Sequence, residues 1–258
     1  MCRYVAYIGE PTDPSHLVFG GDHSLYEQSW APRELLSGSV NADGYGVVWY
    51  TDGEPRRLAE ARPIWHDGEL KKALTSVRST CVLGALRNAT PGQPVDRAGL
   101  LPLVHDRWSF VLNGFIPDFH RSHMRALRSE LPDDLYAELR GSSDAETLFF
   151  LAVKAVREGA ALSVALEETA RTVATRVGKE EAQMNMLLSD GEEIGVLRSS
   201  TVLMTNSMYV ASRQDVAPNG VLLASEPIDA GSAWLPVDGH HRADIGFDGI
   251  VEPELVFF

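Results

Sequence analysis

The position of its helices constrains the fold of this chain more than any other feature, because strand-forming segments lie on both sides of them. Helical patterning dominates residues 117–159, where Ser143-Asp144-Ala145-Glu146 fits a capping box and apolar residues follow at helical spacing. A second helix is predicted over residues 160–177, after a glycine break. Strands that flank such a helical pair predict two antiparallel sheets packed face to face with helices outside. We therefore expect an α+β fold, a four-layer α/β/β/α sandwich.

The predicted strands are short runs rich in β-branched, aliphatic and aromatic residues. They cover residues 3–9, 46–51, 81–87, 107–112, 183–188, 194–197, 207–211, 221–225 and 255–258, with a short helix over residues 68–77. No internal repeat or low-complexity linker separates them, so we expect a single domain over residues 2–258. In such a sandwich the first strand would be central, and the residue before it would be held in place.

Composition limits the classes of binding partner and the cellular compartment that we expect for this protein. The 258 residues carry 36 acidic and 23 basic side chains, a formal net charge of −13, which disfavours a nucleic-acid partner and fits a cationic or zwitterionic small substrate. Two isolated cysteines, Cys2 and Cys81, are too few for a disulfide framework or a zinc site. The longest apolar run, around residues 148–153, is far shorter than a membrane span, and the N-terminal segment lacks a signal-peptide core. We expect a cytoplasmic protein with no membrane partner; the oligomeric state stays open.

Cys2 directly follows the initiator methionine. Removal of Met1 would leave a thiol and a free α-amine on one residue, a nucleophile that carries its own base. Their ordinary pKa values, about 8.5 and about 7.7–8.0, make proton exchange between them cost roughly 1 kcal/mol. From position alone, an ordinary residue at a frayed terminus is the more common case.

Four further motifs each allow a structural and a functional interpretation. Asn113-Gly114, after a predicted strand, could be a type I′ hairpin turn or an oxyanion hole built from the Asn113 amide and the Gly114 N–H. Arg87 could form a surface ion pair or bind a substrate carboxylate. Asp144 could favour the helix dipole or pair with an ammonium group. The segment NADGYG at residues 41–46 could be an Asp-Gly turn or a wall close to a ligand.

Taken together and in this order, these motifs resemble the class II glutamine amidotransferases, which are N-terminal-nucleophile hydrolases. The resemblance covers most of the chain and rests on Cys2-Arg3, NADGYG at 41–46, RNATPG at 87–92, Asn113-Gly114 and SDAE at 143–146. Within that superfamily, residues 23–32, 41–46, 183–188 and 224–227 resemble the stand-alone γ-glutamyl amidohydrolases of ergothioneine biosynthesis.

The resemblance implies a role for each matching residue. Cys2 would be the catalytic nucleophile, and Asn113 with Gly114 would form the oxyanion hole. Arg87 would bind the α-carboxylate of a glutamyl group and Asp144 its α-ammonium.

The resemblance also implies more peripheral positions and two departures. Thr90 would assist near the carboxylate, while Asp43, Gly44 and Tyr45 would form a wall of the substrate site. Many relatives have histidine where this chain has Leu112, and the glutaminase pattern carries tryptophan and histidine where this chain has Asn88 and Pro91. We therefore expect the group beyond the γ-carbonyl to differ from ammonia.

The implied activity is hydrolysis of γ-glutamyl-hercynylcysteine sulfoxide through a Cys2 thioester, with no metal or organic cofactor. Aromatic faces would suit the trimethylammonium group, and Trp30, Tyr45 and Trp49 are candidates, although aromatic residues on strands are more often core. Two alternatives stay open: a glutaminase that supplies ammonia to a separate synthase, and a protein that binds γ-glutamyl compounds without catalysis.

Overall fold

A computed structural model describes residues 2–35, 40–88, 97–212, 219–247, 249–250 and 253–256. The strands are β1 (Arg3–Thr12), β2 (Tyr45–Thr51), β3 (Glu54–Glu60), β4 (Ser79–Leu86), β5 (Leu103–His105), β6 (Trp108–Phe115), β7 (Gln183–Ser189), β8 (Ile194–Ser200), β9 (Tyr209–Ser212), β10 (Gly220–Ala224), β11 (Leu235–Pro236), β12 (His241–Gly246), β13 (Gly249–Ile250) and β14 (Glu254–Leu255). The α-helices are α1 (Pro14–Phe19), α2 (Leu25–Gln28), α3 (Leu70–Thr75), α4 (Met124–Arg128), α5 (Asp133–Ala137), α6 (Asp144–Arg157) and α7 (Leu162–Val177). Short 3₁₀ turns cover Ile64–His66 and Arg97–Gly99, and a π-helical turn covers Phe119–His123.

The strands form two antiparallel sheets. The first has the order β11-β9-β10-β1-β4-β2-β3, and the second has the order β13-β12-β8-β7-β6-β5 with β14 paired to β12. Strand β1 lies inside the first sheet, where Arg3 is opposite Leu86 of β4 and Val5 is opposite Ala224 of β10. Cys2 therefore precedes a strand that is paired on both sides, which confirms the expected central position of that strand.

Alternation along β1 defines the layers, because successive side chains of a strand point to opposite faces. Tyr4, Ala6 and Ile8 belong to the main core, which also contains residues of the second sheet, α6 and α7. Val5 and Tyr7 belong to an outer core that contains residues of α1, α2 and α3. The order is helices, sheet, sheet, helices, so the predicted four-layer α/β/β/α sandwich is confirmed.

Several element boundaries differ from the sequence predictions for identifiable reasons. The predicted helical segment 117–159 breaks into a π-helical turn, two short helices and α6, since Pro132 and Gly141 interrupt it. Strand β3 was not expected, because its sequence EPRRLAE is charged and only partly buried, which suits the edge of a sheet. The predicted strand 255–258 is seen as Glu254–Leu255, and residues 257–258 lie outside the described residues. No helix among the described residues has the length and apolar character needed to cross a bilayer.

Candidate active site

The backbone of Cys2 is held by its neighbour Arg3. The Arg3 Nε donates a hydrogen bond to the Cys2 carbonyl oxygen at 3.0 Å, and the Arg3 Nη1 donates to Glu226 Oε1 at 2.7 Å. His23 Nε2 lies 2.9 Å from the second carboxylate oxygen of Glu226. We call Arg3, His23 and Glu226 the nucleophile clamp; all three are buried. The clamp ties the residue after Cys2 to a carboxylate that is 223 positions away in the chain.

The carboxylate of Glu226 is fully supplied with donors. Besides Arg3 and His23, it accepts the backbone N–H of Arg33 at 2.8 Å and of Glu34 at 3.0 Å. Burial alone would raise the pKa of Glu226, but the hydrogen bonds from His23 and the two backbone groups, together with the Arg3 charge, hold this pKa below its ordinary value. An ionised carboxylate only accepts hydrogen bonds, so His23 Nε2 must donate.

Arg87 follows β4 and is positioned by a short backbone pairing. Its N–H donates to the Gly44 carbonyl at 2.8 Å, and its carbonyl accepts the Asp43 N–H at 3.2 Å. Gly44 has φ +138°, and a Cβ there would lie 2.4 Å from Leu100 Cδ2, so only glycine fits. The Arg87 guanidinium packs on Gly99, where an added Cβ would lie 3.0 Å from Arg87 Nη2. The predicted wall residues Asp43 and Gly44 thus hold the backbone of the predicted carboxylate-binding residue.

These segments meet around one small cavity. Its lining residues are Cys2, Arg87, Asn88, Gly99, Leu101, Leu112, Gly114, Ser143, Asp144 and Ala145. A thiol, a guanidinium and a carboxylate therefore share one cavity, with opposite charges supplied by Arg87 and Asp144. No group of three or more His, Cys, Asp or Glu side chains suited to a metal ion occurs in the part of the chain that the structure describes.

Asn113 and Gly114 are not a hairpin turn, which corrects one of the two sequence interpretations. Both lie within β6, with Asn113 opposite Asn185 and Gly114 opposite Met184 of β7. A Cβ on Gly114 would lie 1.8 Å from the Gln183 carbonyl oxygen, so the close approach of β7 requires glycine. The side-chain amide of Asn113 is fully buried, and neither its nitrogen nor its oxygen has a hydrogen-bond partner among the described residues. Burial of a polar group without a hydrogen-bond partner is unfavourable and rare in native proteins.

Asp144 is the first residue of α6. Its Oδ2 accepts the backbone N–H of Ile116, just after β6, at 3.0 Å, and its Oδ1 accepts the N–H of Ala145 at 2.9 Å. The preceding Ser143 caps the helix by accepting the Glu146 N–H at 3.1 Å. The Glu146 carboxylate binds the N–H groups of residues 140 and 141, so only half of the predicted capping box forms. Asp144 consequently joins the start of α6 to the end of the strand that carries Asn113 and Gly114.

Some predicted positions lie elsewhere. The Tyr45 side chain is in the outer core and its hydroxyl donates to Asp67, so only its backbone is close to the Arg87 pairing. Trp49 packs against the same outer core. Trp30 is 43% exposed and its ring centroid lies 6.0 Å from that of Trp65. None of these three aromatic residues is among the described residues that line the cavity. Thr90, like Pro91, lies outside the described residues.

Sequence reasoning did not assign functions to the nucleophile clamp or to Asn206, a buried residue that contacts Asn113. A signal was present for the clamp: His23 and Glu226 belong to the segments 23–32 and 224–227 that carried the finer resemblance. The structure joins these two segments at one carboxylate beside Cys2. Asn206 lies in no such segment, and only three-dimensional contact reveals it.

Comparison with known proteins identifies the class. The family model of class II glutamine amidotransferases matches residues 22–219. The chain belongs to the class II glutamine amidotransferases. It is accordingly an enzyme that hydrolyses a linear amide C–N bond, on an N-terminal-nucleophile hydrolase fold.

The more specific similarities are to named hydrolases. A γ-glutamyl-hercynylcysteine sulfoxide hydrolase from Mycolicibacterium smegmatis is 30% identical over 248 residues, which cover 95% of this chain and 96% of that protein. A hydrolase of the same name from Mycobacterium tuberculosis is 29% identical over 252 residues, 97% of this chain and 95% of that protein.

Solved structures share the fold. A class II glutamine aminotransferase domain protein from Silicibacter pomeroyi matches with a TM-score of 0.72 at 22% identity, over 99% of both chains. Glutamine phosphoribosylpyrophosphate amidotransferase from B. subtilis matches with a TM-score of 0.64 at 17% identity, over 99% of this chain but 49% of that one.

Proposed function

We propose that this enzyme hydrolyses γ-glutamyl-hercynylcysteine sulfoxide to glutamate and hercynylcysteine sulfoxide, through a glutamyl thioester on Cys2. Residues 2–258 would act as one domain after removal of Met1, and the reaction needs no cofactor. The observation that carries the proposal is the shared cavity, in which the thiol of Cys2 lies with the charges of Arg87 and Asp144. The similarity to two hydrolases of that name over nearly the whole chain supports the choice of substrate.

The two charges of the cavity match the two ends of a glutamyl group. Arg87 would bind the α-carboxylate with two parallel hydrogen bonds, since a guanidinium has the geometry for that contact. Asp144 would bind the α-ammonium while it holds the Ile116 N–H. Contacts at both ends of the glutamyl group would fix the γ-carbonyl relative to Cys2. Positioning of this kind can supply a large part of a rate enhancement.

Acylation begins with proton transfer within Cys2. The α-amine takes the thiol proton, and the thiolate forms a bond to the γ-carbonyl carbon. The negative charge that develops on the carbonyl oxygen would be stabilised by the Asn113 amide and the Gly114 N–H. The Cys2 ammonium then gives its proton to the leaving nitrogen, the C–N bond breaks, and the amine departs.

Deacylation repeats the proton transfers with water. The free α-amine removes a proton from a water molecule as its oxygen attacks the thioester carbon. The same amide donors would stabilise the second oxyanion. The C–S bond breaks, the thiol regains its proton from the ammonium, and glutamate leaves.

The departures from the glutaminase pattern favour a leaving group other than ammonia. Asn88, where the glutaminase pattern has tryptophan, lines the cavity, and so does Leu112, where many relatives have histidine. The strongly acidic chain also suits a substrate that carries a trimethylammonium group.

The test compares two substrates with one preparation of purified enzyme. We expect a much higher kcat/KM for γ-glutamyl-hercynylcysteine sulfoxide than for glutamine, because the binding energy of the remote group can be used in the transition state. The α-glutamyl isomer and an N-acylated γ-glutamyl analogue serve as controls and should not be cleaved, since each misplaces or removes a charge that Arg87 or Asp144 reads. Equal or better efficiency on glutamine would contradict the proposal and favour an ammonia-supplying glutaminase.

A further inference from the structure

The main chain of Asn113 makes a contact that the reaction described above does not use. Asn206 Nδ2 donates a hydrogen bond to the Asn113 carbonyl oxygen at 2.9 Å, across 93 positions of sequence. Asn206 is buried, with 1% of its surface exposed. We call Asn113, Asn185 and Asn206 the amide cluster.

This contact acts on the peptide group that also carries the Gly114 N–H. A peptide unit is planar and trans, so its carbonyl oxygen and its N–H point in opposite directions. A donor fixed on the Asn113 oxygen therefore fixes the direction of the Gly114 N–H. It also polarises the peptide unit, which makes that N–H a stronger donor.

Asn206 is itself rigidly held. Its carbonyl oxygen accepts hydrogen bonds from Asn185 Nδ2 at 2.9 Å and from Arg198 Nε at 2.8 Å. Its N–H donates to Gln183 Oε1 at 3.1 Å. Both backbone groups of Asn206 are thus bound by side chains of β7 and β8, which leaves its side-chain amide little freedom to move away from Asn113.

The same segment is also linked, through Ser225, to the strand that follows Cys2. The hydroxyl of Ser207 donates to the Ser225 carbonyl at 2.7 Å, and the hydroxyl of Ser225 accepts the Tyr4 N–H at 3.0 Å. Residues 206 and 207 therefore connect the strand of the oxyanion donors to the strand of the nucleophile. A residue at this junction can set the distance between the two.

We propose that Asn206 is a positioning residue for the oxyanion hole, which aims and polarises the Gly114 N–H through the Asn113 carbonyl. The inference rests on the proposed function, since it requires an oxyanion to form at Gly114. Asn206 contacts no substrate in this scheme; its effect passes through the peptide group.

The test is Asn206→Leu, which keeps the approximate volume and removes the donor. We expect kcat for the better γ-glutamyl substrate to fall about 10-fold with little change in KM, because the lost interaction matters when charge develops on the oxygen. The rate of Cys2 alkylation by iodoacetamide, which uses no oxyanion hole, should be unchanged. Ser200→Ala is the matched control: Ser200 holds the loop that precedes Asn206 through its bonds to Val202 and Met204 but leaves the Asn206 amide in place.

A double-mutant cycle separates action through the peptide group from action on the Asn113 side chain. Because Asn113→Ala keeps the Asn113 carbonyl and the Gly114 N–H, Asn206→Leu should lower kcat by the same factor in that background as in the wild type. Loss of the Asn206 effect in the Asn113→Ala background, or an equal fall in kcat for Ser200→Ala, would overturn the inference. Where Asn206→Leu does not fold, Asn206→Ser, whose hydroxyl is too short to replace the amide, gives the same comparison.

Failure of this inference is distinguishable from failure of the proposed function. Wild-type enzyme that cleaves only glutamine refutes the proposed substrate and still allows the Asn206 measurement. Wild-type activity on either γ-glutamyl amide with an unchanged kcat in folded Asn206→Leu refutes the role of Asn206 alone.

Discussion

The nucleophile clamp and the amide cluster differ in how they would support the proposed reaction. In the clamp, the Glu226 carboxylate accepts four hydrogen bonds, two from side chains and two from the backbone. In the amide cluster, all groups are neutral, and both polar atoms of the Asn113 side chain lack partners among the described residues. A buried charge must be satisfied at all times, whereas a neutral dipole can stay unpaired until charge appears beside it.

The two regions differ in when their polar groups have partners. The Glu226 carboxylate of the clamp already has its hydrogen-bond donors, whereas the buried Arg3 Nη2 has no partner among the described residues; we infer that the clamp holds the backbone of Cys2. The unpaired amide of Asn113 costs about 1–3 kcal/mol in the resting protein. That cost is recovered if the amide meets an oxyanion, and preorganised donors of this kind are often the largest single contribution to catalysis.

We expect the strongest effect at Cys2, the proposed nucleophile. Cys2→Ala should abolish turnover, because no other thiol can replace it. Cys81→Ser is the control: Cys81 is fully buried in β4, burial raises its pKa to about 12, and its Sγ lies 3.3 Å from Ser189 Oγ. We expect that variant to stay active. Intact-mass measurement should also show loss of Met1, and activity in protein that retains Met1 would contradict the use of the α-amine as base.

Breaking the ion pair of the nucleophile clamp should lower the stability of the fold. Glu226→Gln leaves Arg3 buried without its counter-charge, and breaking a buried ion pair in this way costs about 3–5 kcal/mol. Urea unfolding of the variant measures the loss. Asp244→Asn is a suitable control, because Asp244 accepts two hydrogen bonds from Ser163 at the start of α7, far along the second sheet. If Glu226→Gln loses no more stability than Asp244→Asn, the buried ion pair of the clamp does not stabilise the fold.

A substitution in the amide cluster should lower the catalytic rate. Asn113→Ala should lower kcat by about 100-fold with little change in KM, which corresponds to one lost oxyanion donor. Stability should change little, since the amide has no partner among the described residues to lose. Ser109→Ala is the matched control on the same face of β6, where Ser109 bonds Tyr50 at 2.8 Å. Ser109→Ala should lose stability and keep its kcat. If Asn113→Ala instead loses stability and keeps its kcat, Asn113 has a structural role.

The sequence could predict the layers but not these two regions. Periodicity located α6 and α7, and the order of segments predicted the four-layer sandwich, since both signals are local. The extent of β6 was missed because Asn-Gly favours a turn locally, whereas pairing with β7 keeps Asn113 and Gly114 extended. The clamp joins Arg3 to Glu226 across 223 positions, and no local pattern reports such a contact. The roles assigned to the candidate site residues all stay predictions: Cys2, Arg87, Thr90, Asn113, Gly114 and Asp144.

The smallest effect, and the sharpest contrast between the two regions, concerns pH. The pKa of Glu226 is lower in the folded protein than in the unfolded chain, whose value is near 4.3. Its contribution to the free energy of unfolding is therefore fully present above that unfolded value and is lost as the pH falls through the folded value. For one such group the slope of unfolding free energy against pH cannot exceed about 1.4 kcal/mol per pH unit.

Urea unfolding between pH 7 and pH 3 measures this dependence. The free energy of unfolding should fall less steeply in acid for Glu226→Gln than for the wild type. Asn113→Ala changes no titratable group, so its curve should run parallel to that of the wild type. Parallel curves for all three proteins would mean that the charge of Glu226 contributes nothing to stability in acid. The clamp and the amide cluster would then not differ in how their contributions to stability depend on pH.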